Sequence, residues 1–374
     1  MSASGSASFP PARVLMGPGP SDVPPEVLRA LSQPLLGHLD PAFLPVLDEL
    51  NDRLRQVFRT ANPVTFPVSG TGSAGLECVV VNLVEPGDRV VVGVNGVFGG
   101  RLAEVARRAG AEVHTVEAPW GRIVDPADFL TACRTHEPAL AVLVHAETST
   151  GVRQPVAEVA AALRETDTLF AIDCVTSLGG IEVDIDGWGI DAAYSGTQKC
   201  LSVPPGLSPV TFGPRAVEKI RGRTTPCQSW YLDVNLILEY VGDGSGGGRK
   251  YHHTAPISML YALHAGLGLV LDEGLEARWA RHEAVGRHLQ DGLEELGLPL
   301  LAQEGYRLPQ LTTVGLPDGV DEAAWRRRLL DEHGIEVGGG LGAFAGKAWR
   351  IGLMGHTATD ANAARLLAIL TDWL

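Results

Sequence analysis

The chain has 374 residues, 45% of them hydrophobic and 20% charged, which is typical of a globular protein and long enough for two domains. Its formal net charge is −14, with acidic residues spread along the chain, and this disfavours nucleic acid or an anionic membrane as a partner. No apolar run approaches the roughly 20 residues that span a bilayer.

The N-terminus and the cysteines indicate in which cell compartment we expect the protein. Residues 1–12 are rich in Ser, Ala and Pro and lack the apolar core of a secretory signal, so they predict a flexible arm. The cysteines are dispersed without a CxxC pair, at Cys78, Cys133, Cys174, Cys200 and Cys227. Such a set is typical of reduced thiols packed in a core, and we expect a cytoplasmic protein.

Helix and strand patterns alternate along most of the chain. Helical spacing and capping residues predict helices over residues 22–31, 41–59, 74–84, 100–109, 156–164, 256–271, 275–296, 322–332 and 359–373, and another that begins at Asp125 and Pro126. Strands are predicted over residues 89–94, 112–117, 140–144, 169–172, 192–194, 209–212, 311–316 and 349–354. Continuous apolar strands between helices predict a mostly parallel sheet covered on both faces, with ligand sites at the carboxyl ends of its strands.

The pattern changes near residue 273, where the regular alternation stops. We therefore expect an N-terminal arm over residues 1–20, a large α/β domain over residues 21–272 and a smaller α+β domain over residues 273–374. Residues 242–248 are rich in Gly and Ser and predict a mobile loop.

Two segments are suited to a phosphorylated, planar ligand. Residues 69–73 (SGTGS) precede a predicted helix, where glycines let the backbone approach an anion and free N–H groups favour phosphate. The segment has neither Walker nor GxGxxG spacing, so an ordinary helix cap is the alternative. Phe98, flanked by glycines after a strand, is suited to stacking on a planar ring or, alternatively, to the core.

Polar side chains follow two of the predicted strands. Residues 145–151 (HAETSTG) can donate or accept hydrogen bonds to a ligand, or form only a turn. Asp173 is a lone carboxylate at the end of an apolar strand, where it needs a cationic or hydrogen-bonding partner. A protonated pyridine nitrogen would be such a partner, and capping of the next turn is the alternative.

Two cations lie in apolar surroundings. Lys199 follows the strand that ends at Tyr194, and a buried amine is tolerated when it is neutral, paired or used in a Schiff base. An exposed loop lysine is the alternative. Arg350 lies within an apolar strand, where it is suited to bidentate capture of a carboxylate or to a structural salt bridge.

Together these segments supply what a pyridoxal phosphate enzyme needs: a phosphate site, a stacking ring, a carboxylate for the ring nitrogen, a lysine and a carboxylate clamp. The sequence resembles the class V aminotransferases of fold type I, and within them the alanine–glyoxylate and serine–glyoxylate (serine–pyruvate) aminotransferase family. The stretches that carry the resemblance are 17–21 (GPGPS), 69–72 (SGTG), 85–88 (EPGD), 149–151 (STG), 177–180 (SLGG), 194–199 (YSGTQK), 204–206 (PPG), 251–254 (YHHT) and 350–352 (RIG). The similarity extends from about Leu15 to the C-terminus.

The resemblance implies a role for each candidate residue. Lys199 would form the Schiff base with pyridoxal 5'-phosphate and then move the substrate's α-proton, while Asp173 would pair with the ring nitrogen. The other implied cofactor contacts are Thr71, Gly72, Ser73 and Gln198 at the phosphate, Phe98 and Val175 on the two faces of the ring, and Thr148 near the ring hydroxyl. Relatives carry Trp or another aromatic at position 98, and some carry His at position 73. Arg350 would hold the substrate carboxylate.

The resemblance also implies an obligate homodimer. Tyr251 and Thr254 would reach the cofactor phosphate of the neighbouring subunit, so the site would be shared between subunits. The expected reaction moves an amino group from alanine or serine to glyoxylate or pyruvate through pyridoxamine phosphate. No metal is expected in it.

Three other functions are alternatives for the same sequence. A pyridoxamine–pyruvate aminotransferase is disfavoured by the phosphate-binding segment. A lyase related to cysteine desulfurases would need a nucleophilic cysteine on a mobile loop, and no cysteine has that context. A binding module without catalysis would not need Asp173, Lys199 and Arg350 together.

Overall fold

The computed structural model describes residues 11–242 and 248–374. Most of the predicted loop over residues 242–248 and the first ten residues of the predicted arm therefore lie outside the described residues. The strands are β1 (Val14–Leu15), β2 (Val64–Ser69), β3 (Arg89–Val94), β4 (Glu112–Glu117), β5 (Leu140–Val144), β6 (Ala146–Glu147), β7 (Val152–Arg153), β8 (Leu169–Asp173), β9 (Ala192–Tyr194), β10 (Leu207–Phe212), β11 (Leu311–Gly315), β12 (Ile335–Glu336), β13 (Gly338–Gly339) and β14 (Ala348–Gly352). The helices are α1 (Pro25–Leu31), α2 (Leu44–Phe58), α3 (Gly72–Leu83), α4 (Val97–Arg108), α5 (Pro126–His136), α6 (Ala157–Leu163), α7 (Ile185–Trp188), α8 (Pro214–Arg221), α9 (Val234–Val241), α10 (Ile257–Glu273), α11 (Leu275–Glu295), α12 (Glu322–His333) and α13 (Asp360–Trp373).

The main sheet has seven strands in the order β2-β10-β9-β8-β5-β3-β4. Strands β9, β8, β5, β3 and β4 run parallel, whereas β10 is antiparallel to both of its neighbours. The expectation of a mostly parallel sheet is confirmed, with β10 as the reversed strand. Apart from the edge strand β4, these strands are largely apolar and buried because helices cover both faces of the sheet.

Strands β5, β8 and β9 end at the same edge of the sheet. Val144 pairs with Asp173, and Asp173 pairs with Tyr194. The chain after β5 forms the short antiparallel β6–β7 hairpin, in which Ala146 lies opposite Arg153. Segments that follow these three strands therefore meet in one place, as expected for ligand sites of open α/β sheets.

A second apolar core lies in the C-terminal part of the chain. It is built on the three-stranded sheet β11-β14-β13 and on α11, α12 and α13, with Trp349, Leu289 and Leu370 fully or almost fully buried. Strand β1 joins this part by pairing in parallel with β12. The predicted boundary near residue 273 falls between α10 and α11; it remains a proposal, which the two separate cores support.

Most predicted elements are present, with ends shifted by one to three residues. The predicted N-cap Asp125 accepts hydrogen bonds from the N–H groups of Ala127 and Asp128. Strand β2, helices α7, α8 and α9 and the two-residue strands were not predicted. Helix α7 and the two-residue strands hold too few residues for a period to be seen. No helix among the described residues is long and apolar enough to cross a membrane.

Candidate active site

Lys199 and Asp173 lie in one pocket at the carboxyl ends of β8 and β9, with 8% and 3% of their surfaces exposed. Lys199 is not at the end of the strand itself but five residues beyond Tyr194, in a turn. The pocket is lined by Thr71, Gly72, Ser73, Leu76, Phe98, Arg101, Ala146, Thr148, Asp173, Val175, Tyr194, Gln198 and Lys199. The structure thus brings together the candidate residues from five separate segments.

Both carboxylate oxygens of Asp173 accept hydrogen bonds. Oδ1 accepts from the Val175 N–H at 2.8 Å, and Oδ2 accepts from the Tyr194 hydroxyl at 2.6 Å. Burial raises the pKa of Asp173 to about 6, although these hydrogen bonds act in the opposite direction. The carboxylate therefore caps the turn after β8, as one interpretation of the sequence predicted, and it also faces the pocket.

The Lys199 amine is held by the N-terminal segment. Its Nζ donates to the Pro18 carbonyl, and a Cβ on Gly19 would lie 2.7 Å from Lys199 Cδ and 2.8 Å from Nζ. Glycine is required there because the backbone has φ of +116° and touches the lysine side chain. Burial, together with the nearby Arg350 guanidinium, lowers the pKa of Lys199 to about 8, so a sizeable fraction of the amine is neutral at neutral to mildly alkaline pH.

The segment before α3 forms one wall of the pocket. Thr71 is the N-cap residue, but its side chain accepts no hydrogen bond from the helix, so the first N–H groups of α3 are not capped by it. Gln198 carries a buried amide oxygen without a partner among the described residues. Hydroxyl groups of Thr71 and Ser73, the Gln198 amide and the start of α3 converge here, which is an arrangement suited to an anion.

Phe98 and Val175 form apolar walls of the pocket and Thr148 a polar one. Phe98 is part-buried against the large core, and Val175 Cγ2 would lie 3.3 Å from a Cβ on Gly72. Thr148 Oγ1 is 2.6 Å from Thr176 Oγ1, which fixes its hydroxyl beside the pocket. A planar ligand is suited to the space between these walls.

Arg350 lies on β14 and is 9% exposed. Its Nε donates to the Gly339 carbonyl at 2.9 Å and its Nη1 donates to the Thr148 carbonyl at 3.4 Å. Over the described part of the chain it forms no ion pair with a carboxylate, so the alternative of a structural salt bridge finds no support. The guanidinium is available to an anionic ligand.

Tyr251 and Thr254 are not part of the pocket within one chain. Tyr251 is 62% exposed, with its ring 5.3 Å from that of His38, and Thr254 is also exposed. Their predicted contact with a cofactor phosphate therefore requires another chain.

Three residues of the site were missed by the sequence analysis. Tyr194 bonds Asp173, and the register of two adjacent parallel strand ends would have indicated the pair. Arg101 lines the pocket, with its guanidinium 4.9 Å from the centre of the Phe98 ring and Nη1 3.5 Å from Ser73 Oγ. It was missed because α4 begins at Val97, three residues before the predicted start, and only then do residues 98 and 101 share a helix face.

The third missed residue, Glu147, is completely buried at the start of α4. It accepts hydrogen bonds from the N–H groups of Phe98 and Gly99 and from Ser149, while burial raises its pKa. Its role in the geometry is to hold the first turn of the helix that carries Phe98 and Arg101.

A family profile, a sequence relative and a solved structure all match the chain to the same family. The family profile Aminotransferase class-V matches residues 13–345. The chain is 39% identical to the (S)-ureidoglycine–glyoxylate transaminase of Bacillus subtilis, over 96% of this chain and 89% of that protein. The crystal structure of alanine–glyoxylate aminotransferase from Nostoc sp. has a TM-score of 0.95 and 50% identity, over 98% of this chain and 96% of the other.

A third relative differs in its named substrate. The structure of pyridoxamine–pyruvate aminotransferase from Mesorhizobium loti has a TM-score of 0.90 and 28% identity, over 97% of this chain and 93% of the other. All three share the fold across nearly the full length, and the profile covers most of the 374 residues. The chain therefore belongs to the class V aminotransferases.

Proposed function

We propose that the chain is a pyridoxal 5'-phosphate-dependent aminotransferase that moves an amino group from a small amino acid, alanine or serine, to glyoxylate or pyruvate. The observation that carries the proposal is the shared pocket of Lys199 and Asp173 beside the anion-suited start of α3. Relatives named for glyoxylate as acceptor support the choice of oxo acid.

The residues present fit the cofactor. The uncapped N–H groups at the start of α3, the hydroxyls of Thr71 and Ser73 and the NH2 of the Gln198 amide are hydrogen-bond donors, which a phosphate needs. Thr71, Gly72, Ser73 and Gln198 would hold the phosphate, Phe98 and Val175 the ring faces and Thr148 the ring hydroxyl. When bound, pyridoxal phosphate supplies an electron sink for the negative charge left on the substrate's α carbon.

Lys199 has the properties of the group that holds the cofactor and moves the proton. Its amine faces the pocket, and burial and Arg350 bring its pKa to about 8, near physiological pH. An amine with such a pKa can accept a proton from the α carbon and return it, which is the condition for efficient acid–base catalysis. The Pro18 carbonyl and the close approach of Gly19 orient its Nζ.

Asp173 would hold a proton on the ring nitrogen of the cofactor. With a pKa of about 6 it is mostly ionised above neutral pH, and a carboxylate in that position favours the protonated ring. The Tyr194 hydroxyl fixes the carboxylate from the other side. Arg350, which has no ion-pair partner along the described chain, would hold the carboxylate of the amino acid and of the oxo acid.

A second copy of the chain would complete the site. Tyr251 and Thr254 are exposed, and exposed apolar side chains accompany them at Leu35, Leu36, Leu39, Trp230 and Tyr231. Such a group of exposed apolar side chains supports an interface between subunits. We therefore include the shared, homodimeric site in the proposal. The five free cysteines support a cytoplasmic location.

The alternatives have less support. Pyridoxamine as substrate would leave the anion-suited start of α3 without its ligand. A desulfurase-type lyase needs a reactive cysteine, yet no cysteine lines the pocket, and burial raises the pKa of Cys174 and of Cys200, its two nearest thiols in sequence. A module without catalysis gives no reason for a buried, near-neutral Lys199.

A panel of amino donors tests the proposal. Alanine, serine, aspartate and pyridoxamine are each offered with glyoxylate and with pyruvate, and amino-group transfer is measured in wild type and Lys199→Ala. We expect transfer from alanine or serine, and a loss of at least about a hundredfold in the variant. Borohydride reduction followed by peptide mass spectrometry should place the cofactor on Lys199. Transfer from pyridoxamine alone, or a label on another residue, would contradict the proposal.

A further inference from the structure

A second cavity has a volume of about 360 Å³. It is formed around the end of β5, the β7 strand, the start of α6 and the end of α7, and Tyr306 of the C-terminal part also lines it. The cavity and the active-site pocket have no lining residue in common. They are close nonetheless, because His145 lines the cavity and the next residue, Ala146, lines the active-site pocket.

His145 is a buried polar group that the proposed reaction does not use. It is 4% exposed, and its Nδ1 has no hydrogen-bond partner in the part of the chain that the structure describes. Its ring meets the Trp188 indole edge-on at 5.5 Å. Burial lowers the pKa of His145 to about 3, so the ring is neutral. Nδ1 exposes less than 1 Å² of surface, so a ligand in the cavity would contact other atoms of His145 and not this nitrogen.

Two opposite charges line the cavity without neutralising each other. Arg153 on β7 is close enough to His145 to lower its pKa further, and Glu158 lies in the first turn of α6. Neither side chain forms an ion pair with any residue in the described ranges, whereas the other lining carboxylate, Glu182, pairs with Arg59 at 3.2 Å. The guanidinium of Arg153 and the carboxylate of Glu158 are therefore both available to a ligand.

The remaining wall is apolar. Val156 and Ile181 are buried, and the indole of Trp188 is half-buried beside them. A ligand suited to this cavity carries a negative group, a positive group and an apolar portion. The volume of the cavity falls in the range of about 300–1,000 Å³ that is usual for small-molecule sites.

We propose that this cavity binds a small α-amino acid in its zwitterionic form, with its carboxylate at Arg153, its ammonium at Glu158 and an apolar side chain against Trp188. The site is separate from the aminotransferase pocket and does not depend on the proposed function. Its ligand would contact the hairpin that presents Thr148 to the active site, because Arg153 pairs with Ala146 across β6 and β7.

The test uses an amino acid that cannot react at Lys199. N,N-dimethyl-L-leucine is a zwitterion whose tertiary amine cannot form a Schiff base, and it is titrated into the cofactor-loaded protein by calorimetry. We expect one saturable site in wild type. Arg153→Gln and Glu158→Gln should each raise Kd by about tenfold or more, since each removes a charged hydrogen-bonding partner. Arg134→Gln, an exposed arginine of α5 away from the cavity, and Arg350→Ala should leave Kd unchanged.

A second measurement locates the ligand. Binding should change the tryptophan fluorescence of wild type, and Trp188→Phe should remove most of that change. The proposal is overturned by the absence of saturable binding, or by binding that Arg350→Ala abolishes and Arg153→Gln does not. It is equally overturned if 4-methylpentanoate, which lacks the amine, binds as tightly and Glu158→Gln has no effect. Arg153 and Glu158 are exposed, so both variants are expected to fold, which thermal unfolding verifies.

Discussion

Asp173 illustrates how the site lowers the stability of the chain that carries it. The side chain is 3% exposed, and burial raises its pKa to about 6 from an ordinary 3.8. Above that pH the folded protein holds an ionised carboxylate that the unfolded chain would solvate better. The hydrogen bonds from Tyr194 and Val175 reduce this penalty without removing it.

Asp173→Asn should therefore stabilise the protein prepared without cofactor, by roughly 1–3 kcal/mol at pH 7.5. The sign follows from the raised pKa. Between pH 4 and pH 6 the folded wild type binds more protons than the unfolded chain, so its stability falls as pH rises through this window. Asparagine carries no charge at either pH, and the gain should be small at pH 4. Urea denaturation at the two pH values measures it, and an equal gain at both would contradict the pKa argument.

The structure places Arg101 in the pocket, a position that the sequence alone did not predict. It lies over Phe98 and beside Ser73, and along the described chain it forms no ion pair. We predict that Arg101→Gln raises Kd for pyridoxal 5'-phosphate by roughly tenfold, because a charged partner of the phosphate is lost. Kd for pyridoxal, which lacks the phosphate, should change little. Arg107→Gln, on the exposed side of the same helix, is the control, and equal weakening of both ligands would show that Arg101 acts otherwise.

The candidate residues that the sequence alone indicated are those whose chemistry conflicts with their surroundings. A lysine, an aspartate and an arginine beside apolar strands each called for a partner, and the structure places Lys199, Asp173 and Arg350 in or near one pocket. Tyr194 and Glu147 gave no such signal. A tyrosine at a strand end is ordinary, and the importance of Glu147 comes from hydrogen bonds to a helix start that only the fold brings to it.

At the scale of elements, residues 17–21 act as a clamp on Lys199. The Ser21 hydroxyl donates to the Lys199 carbonyl at 2.7 Å, and the Pro18 carbonyl accepts from its amine. Gly19 lies between these two contacts, where no side chain fits. The segment therefore fixes both the backbone and the side chain of the lysine.

Gly19→Ala should lower kcat by about a hundredfold, because an added methyl group displaces the Lys199 amine and the backbone conformation disfavours alanine. Gly17→Ala is a matched control two residues away, where the nearest atoms to an added Cβ are 3.8 Å distant. Steady-state kinetics and thermal unfolding of both variants separate a displaced lysine from a misfolded protein. Similar kcat values in the two variants would argue against the clamp.

The longest helices, α2, α10, α11 and α13, were all predicted, whereas the two-residue strands were not. Strands β3 and β5 have the predicted ends because each is an apolar run bounded by turn residues. Strand β4 also has the predicted ends, although only Val113 and Val116 in it are apolar. The sequence predicts only a polar strand-end segment or a turn where the β6–β7 hairpin lies, since the strands of the hairpin have two residues each. The reversal of β10 was not predicted either, because an apolar run carries no information on its direction.

At the scale of the whole molecule, the proposed dimer can be tested by mixing subunits. One chain carries Lys199→Ala and the other carries Tyr251→Ala with Thr254→Ala. If Tyr251 and Thr254 serve the neighbouring site, a mixed dimer has one intact site, and random exchange should restore about a quarter of wild-type activity. Transamination is measured at limiting cofactor before and after exchange of the two inactive proteins. No recovery in verified mixed dimers would place both residues in the site of their own chain.

The pairing of β1 with β12 has a consequence for how the protein is made. Met16, directly before the clamp, is held by hydrogen bonds with Glu336 and Gly352, which lie more than 300 residues later in the chain. The ribosome synthesises all strands of the main sheet well before it reaches Glu336 and Gly352, and domains fold as units during synthesis. The sheet around Asp173 can therefore form before Met16 has these hydrogen-bond partners. Residues 17–21 can settle over Lys199 only when translation is nearly finished. On the proposed domain boundary near residue 273, we expect Lys199 to be covered last, and a polypeptide truncated before residue 336 to lack the contacts that residues 17–21 make with its amine.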